Sequence, residues 1–224
     1  MERDVFIARV AARLRPSTTT GDVLLPAPVV PHGVAAGRAR PSAAQPAAAP
    51  AGGPPEGRDG LIELFATRLG EAGGEVARVP DRRQAQAAIA AMARERGWTS
   101  FSCAPSLRWP ATDDLWADDP RRAAFGLSEA EWGIAETGSV VLRHAGERGR
   151  GHSLLPPVVG FLLPASRLVR AVGDVLGLIH DAPEPLPACV TFVTGPSHSG
   201  DIAGVMCYGV HGPAEVRVWL IEDE

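Results

Sequence analysis

The chain contains no lysine: every one of its 22 basic residues is arginine. That excludes a lysine Schiff base and the lysine of a Walker-A phosphate loop. Any bound anion must be held by arginine forks or by backbone N–H groups. A genomic base composition that also favours alanine, glycine and proline accounts for the same bias. Cysteine is scarce as well. Cys103, Cys189 and Cys207 are far apart and form no CxxC pair, which argues against a structural zinc site or an iron–sulfur cluster held by this chain alone. No cofactor is therefore expected on the chain itself, and free thiols suit a reducing compartment. A long apolar run is also missing. The most apolar stretch, residues 158–163, is far too short to span a bilayer. Met1-Glu2-Arg3-Asp4 does not open onto the apolar core of a signal peptide. A cytoplasmic protein without a membrane span is expected. The net charge of −4 argues against a general nucleic-acid binder, which would carry a basic stripe.

What is present is an ordinary globular composition, 45% hydrophobic over 224 residues, enough for one domain with length to spare. Phe6, Val10 and Leu14 stand four apart, with Arg9, Arg13 and Arg15 elsewhere on the wheel. They predict an amphipathic helix over 2–15 that Pro16 stops. From about 26 to 57 the chain is mostly alanine, proline and glycine, with little to offset chain entropy. The expected division is an N-terminal helix region at 1–20, a linker or extended arm at 21–58, and a compact domain at 59–224.

Within that domain the pattern predicts a helix over 61–69, a strand over 75–79, an alanine-rich helix over 81–96 closed by Gly97, and a strand over 98–103. Such alternation indicates an α/β fold with a mostly parallel sheet flanked by helices. Ile134, 140–142 and 158–163 are expected as neighbouring strands, the last two joined by a charged loop over 143–151. A helix is expected over 164–177 with Pro164 in its first turn, then a buried strand over 189–193 and a half-exposed one over 215–221. Trp98, Trp109, Trp116 and Trp132 suit core or interface anchors better than a stacking platform.

Three glycine-rich motifs carry the chemical interest. In Gly133-Ile134-Ala135-Glu136-Thr137-Gly138-Ser139 a single acid stands at the mouth of an apolar strand, where a carboxylate needs a partner or a task. Glu136 suits a ligand contact or a general base; it equally suits an acid paired with an arginine such as Arg143. In Thr194-Gly195-Pro196-Ser197-His198-Ser199-Gly200-Asp201, backbone N–H groups and hydroxyls at the end of a strand suit an anion cradle, or a plain helix cap at Ser199 or Asp201. His211, in a glycine turn, suits either a proton shuttle or a hydrogen-bonded structural residue. Between the first two motifs, Arg143, Arg148 and Arg150 among glycines suit a lid over an anion or a solvated hairpin. His144 and His152 flank that loop, and Ser153-Leu154-Leu155-Pro156-Pro157 follows it.

In this order the motifs resemble the lactate-utilisation protein C family, the LUD domain, over roughly residues 60–224. The resemblance implies the fold shared by ribose-phosphate isomerases, glucosamine-phosphate deaminases and CoA transferases. In CoA transferases of that superfamily a glutamate at a comparable strand–loop junction is the nucleophile, which makes Glu136 the candidate catalytic residue. The resemblance also implies an accessory or ligand-binding component of a cytoplasmic system that oxidises L-lactate to pyruvate, with companion subunits holding the iron–sulfur clusters. The alternatives are a stand-alone enzyme acting through Glu136 on a sugar phosphate or acyl-CoA, and a metabolite-sensing scaffold. The expected ligand is a small carboxylate or phosphate. Its expected contacts are Thr137, Gly138, Ser139, Ser153, Gly195, Ser197, His198, Ser199, Asp201 and His211, gathered in one site.

Overall fold

The computed structural model describes residues 57–109, 114–117, 119–144, 149–183, 186–199 and 207–224, with backbone alone for Cys207 and Tyr208. The expected helix over 2–15 and the linker up to residue 56 lie outside the described residues, as do residues 145–148 and 200–206. Helix α1 (Gly57–Glu71) opens two residues before the expected domain start and leads through a glycine turn into β1 (Glu75–Val79). Helix α2 (Arg82–Arg96) is sharply bounded. The Asp81 carboxylate accepts the Gln84 N–H at 2.7 Å, and Gly97 takes φ 63 to close the helix.

The chain then crosses to the far edge and returns strand by strand. Strands β2 (Phe101–Cys103), β3 (Phe125–Glu129), β6 (Val158–Pro164) and β11 (Glu215–Ile221) follow, giving a fully parallel sheet in the order β1-β11-β6-β3-β2. Alternating residues separate its two faces. Val159, Phe161, Leu163, Val216, Val218 and Leu220 pack against Ile62, Phe65 and Leu69 of α1. Val158, Leu162, Trp219, Ile221, Phe101 and Phe125 pack against Ala85, Ile89 and Ala93 of α2. Trp98 stacks on Phe125 with ring centroids 4.9 Å apart, and Trp116 meets Phe101 edge-on, so these tryptophans anchor the core.

A second sheet lies over the α1 face. It contains the hairpin β4 (Trp132–Ile134) and β5 (Ser139–His144), with β7 (Leu168–Val169) beside β4 and β8 (Cys189–Val193) beside β5. The short helix α3 (Gly151–Leu154) links β5 to β6, and α4 (Val172–Asp181) covers the outer side of the second sheet through Val175. Strands β9 (His198–Ser199) and β10 (Cys207–Tyr208) form a separate antiparallel pair. Among the described residues no helix is long and apolar enough to cross a membrane.

Several expectations are corrected. β5 and β6 are not neighbours but belong to different sheets. Val140 and Leu142 face the parallel sheet while Val141 faces α4, and a strand buried on both sides gives an unbroken apolar run whichever sheet it joins. The helix expected over 164–177 begins only at Val172. Before it, Pro164 ends β6, a turn of 3-10 helix follows, and Leu168 is buried beside β4. The Asp174 carboxylate then caps α4 by accepting the Ala171 N–H at 2.8 Å. Strand 189–193 is an edge strand with Phe192 41% exposed, whereas 215–221 is largely buried between β1 and β6. Finally, the loop after β8 leads into β9, not into a helix.

Candidate functional site

The sequence motifs gather at one end of β5. Its hairpin turn needs Gly138, which sits at φ 65 and where a Cβ would run into the Leu69 backbone nitrogen. Beside it, the Thr137 and Ser139 hydroxyls are 2.7 Å apart, and Ser139 is 2.6 Å from the Thr194 hydroxyl. Gly195, at φ 79, lies against the Ala72 carbonyl, where a Cβ would come within 2.5 Å. Both glycines therefore have a packing reason, the close approach of two loops to the end of α1.

The chemistry expected there changes with this geometry. Glu136 is not buried: it is 44% exposed and accepts the Arg170 Nε–H at 2.9 Å. That is the ion-pair alternative, with Arg170 in the place imagined for Arg143. The Ser197 N–H is already committed to the Pro213 carbonyl at 2.8 Å, and the Ser197 carbonyl accepts from Gly209. The exposed His198 has Nδ1 2.7 Å from the Pro196 carbonyl, to which it donates. Ser199 is buried in β9 and His211 is exposed, while Asp201 lies outside the described residues.

These loops sit by the amino ends of the parallel strands. Gly195 packs on the turn before β1, and Ser197 bonds to the residue two before β11. The loop does lie at a strand's carboxyl end, as expected, but that strand is not in the parallel sheet. Thr194 follows β8, which belongs to the antiparallel layer, to which the crevice rule for parallel sheets does not apply.

Ser153 is elsewhere. It is buried in α3 and donates to the Arg150 carbonyl at 3.2 Å. The neighbouring His152 belongs to a cleft with His144, at the far end of β5 from Ser139. Five residue steps of strand, roughly 17 Å, separate the two groups. The expected contacts are thus not brought together in one site.

That cleft opens where parallel-sheet sites are found, at the carboxyl ends of β2 and β3. Its walls include Ser106, Ser128, Glu129, Arg143, His144 and His152, over a floor of Leu127 and Leu142. The cleft is partly open and its volume is about 30 Å³. α3 is held close over β3 because position 126 is glycine; a Cβ there would meet the His152 carbonyl oxygen. The imidazole Nδ1 of His152 lies 2.7 Å from the hydroxyl of the fully buried Ser102. Burial first, and the Arg108 guanidinium second, hold His152 below the ordinary imidazole range.

Cys103, next to Ser102, has its thiol pushed up to about 11 by burial, against a smaller opposing pull from Arg108. At neutral pH it is an unreactive thiol. Glu129 is paired with Arg82, which reaches it at 2.6 Å and also binds Glu224 at 2.9 Å. Among the described residues no three His, Cys, Asp or Glu side chains gather as a metal site requires.

In the sequence Arg143 stands out only as part of a possible lid and His144 and His152 only as its flanks, while Ser102, Ser128 and Glu129 draw no notice. The missing signal was β3 itself. With β3 placed in a parallel sheet, its last two residues become site candidates by position alone.

The LUD domain family model matches residues 110–221. Over 105 residues the chain is 39% identical to the uncharacterized protein YkgG of Escherichia coli strain K12, covering 46% of each chain. It is also 39% identical over 107 residues to lactate utilization protein C 1 of Bacillus mycoides, again covering 46% of each. With lactate utilization protein C of Geobacillus kaustophilus the identity is 30% over 154 residues, 67% of this chain and 64% of the relative. The chain thus spans only about half the length of the first two. Among solved structures, that of a DUF162 family protein from Deinococcus radiodurans has the same fold, with a TM-score of 0.56 at 19% identity over 75% of this chain and 99% of the other.

Proposed function

The chain belongs to the LUD domain family, and from that premise we propose that it is an accessory, ligand-binding component of a cytoplasmic system that oxidises L-lactate to pyruvate. The observation that carries this reading is the 39% identity over 107 residues to a protein named for lactate utilization. The structure adds compatible chemistry: a small polar cleft with an arginine and two histidines, suited to one end of a small anionic metabolite. Electron transfer is assigned to iron–sulfur partner subunits, because Cys103 and Cys189 stand in different sheets and offer no cluster spacing.

The test has two parts. A strain in which the gene is disrupted is grown on L-lactate as sole carbon source, and the tagged full chain is recovered from lactate-grown cells and assayed for associated iron and its partners. Lost growth that the intact gene restores, together with co-purifying iron–sulfur proteins, is the expected result. Undiminished growth of the disrupted strain overturns the role.

A further inference from the structure

We propose that the cleft at the carboxyl ends of β2 and β3 binds the carboxylate of a small 2-oxo or 2-hydroxy acid, with the Nε2–H of His152 as one donor and Ser102 as the residue positioning that ring. The choice of acid rests on the lactate reading above. The site rests on geometry.

The first step is the tautomer. Ser102 is fully buried, and among the described residues its hydroxyl has one partner, His152 Nδ1 at 2.7 Å. If Nδ1 carried the hydrogen, the serine would have to place its own proton on an acceptor that the surroundings do not supply, and an unmade hydrogen bond in the interior is costly. Ser102 therefore donates to Nδ1. The neutral ring then carries its hydrogen on Nε2, the nitrogen across the ring from Ser102.

The second step is orientation. His152 lines the cleft, and its carbonyl is packed onto Gly126 of β3. With the backbone held there and Nδ1 tied to Ser102, the ring is fixed and Nε2 is the nitrogen free to serve the cleft. Burial and Arg108 both disfavour the imidazolium, so the ring acts as a neutral donor.

The third step is size and charge. A volume of about 30 Å³ is two to three times the roughly 10–15 Å³ that one water requires. That suits the three heavy atoms of a carboxylate. It is far below the roughly 300–1,000 Å³ of sites that engulf drug-sized ligands, so a nucleotide or a whole acyl-CoA is not enclosed. Glu129 on the wall is paired with Arg82, and the Arg108 guanidinium lies near enough to act on His152. Ser106 and Ser128, also in the lining, are the hydroxyl residues proposed to meet an oxygen on the second carbon.

Calorimetric titration of the full chain with pyruvate, L-lactate, acetate and inorganic phosphate tests this, alongside ¹⁵N spectra of the histidine rings. Pyruvate or L-lactate is expected to bind more tightly than acetate or phosphate. His152→Ala should weaken binding about tenfold or more, the loss of a hydrogen bond to a charged group. His152→Gln, whose amide N–H reaches nearly the same point, should recover part of that loss. In the unmutated protein His152 should show hydrogen on Nε2, and Ser102→Ala should abolish that fixed tautomer and weaken binding severalfold. Equal affinity in both His152 variants, hydrogen on Nδ1, preference for phosphate, or no binding of either acid overturns the site. If neither acid binds while the disrupted strain still fails on lactate, the site falls and the pathway role stands.

Discussion

The two ends of strand β5 make an instructive contrast. At the Ser139 end lie the glycines, serines and acid that stand out in the sequence. At the His144 end lies the cleft, where Arg143, His144 and His152 join Ser102, Ser128 and Glu129, which do not stand out. The conspicuous end is conspicuous because chain segments crowd together there. Gly138 and Gly195 are required by positive φ and by backbone within 2.5 Å of a would-be Cβ, and the Thr137–Ser139–Thr194 hydroxyls satisfy one another. The quiet end has a histidine fixed from behind, an acid held by an arginine, and polar groups lining a small space. Density of motif thus reports packing at one end, and position in the parallel sheet reports chemistry at the other.

This contrast can be broken by mutation, and the largest effect is expected at the packed end. Gly138→Val forces a β-branched residue into left-handed backbone and against Leu69. It should cost about 3 kcal/mol or more in urea denaturation. A loss below about 1 kcal/mol would show that the turn relaxes freely and that the glycine is there for another reason. Ser139→Ala should cost about 1 kcal/mol, the net worth of the buried Ser139 hydroxyl's bonds, because the exposed Thr137 and Thr194 hydroxyls turn to water instead. Pyruvate affinity should stay unchanged in that variant, which separates the two ends functionally.

A smaller effect concerns pH. The folded-state pKa of His152 is lowered, so between that value and the ordinary 6.5 the unfolded chain binds more protons and stability rises with pH. The contribution is present above about 6.5 and is lost as pH falls below it. Denaturation midpoints of the wild type should therefore fall more steeply between pH 6.5 and 5 than those of His152→Gln. Parallel slopes would mean that His152 is as easily protonated in the fold as outside it. The smallest effect is expected at the most conspicuous residue. Glu136→Gln removes an exposed ion pair and should change stability by less than about 1 kcal/mol. Growth on L-lactate should be unaffected, and a growth defect would restore Glu136 as a functional acid.

Much of the fold was legible because local signals agreed with it. Asp81 and Gly97 bound α2 where the caps predict, and the strands 75–79, 189–193 and 215–221 have the expected limits. Their environments were less legible, since a strand's neighbours decide which faces are covered. Strand β3 was missed altogether. Phe125-Gly126-Leu127-Ser128-Glu129 has only two large apolar residues and an interior glycine, normally a weak strand residue. The glycine is there for α3, a long-range contact that no local pattern announces. Missing β3 also hid the cleft, because Ser128 and Glu129 gain meaning only as the carboxyl end of a parallel strand. Ser102 was illegible for a similar reason. It is one buried hydroxyl in a three-residue strand, and its partner lies 50 positions away.

The central claim is that ligand chemistry belongs to the carboxyl-edge cleft and not to the glycine-motif end. Titrating the ¹⁵N-labelled full chain with pyruvate and following backbone amide shifts tests it most directly. Saturable shifts are expected at Ser128, Glu129, His144 and His152, with Thr137, Ser139, Thr194 and Gly195 unmoved. Shifts confined to Thr137, Ser139, Thr194 and Gly195 would contradict it.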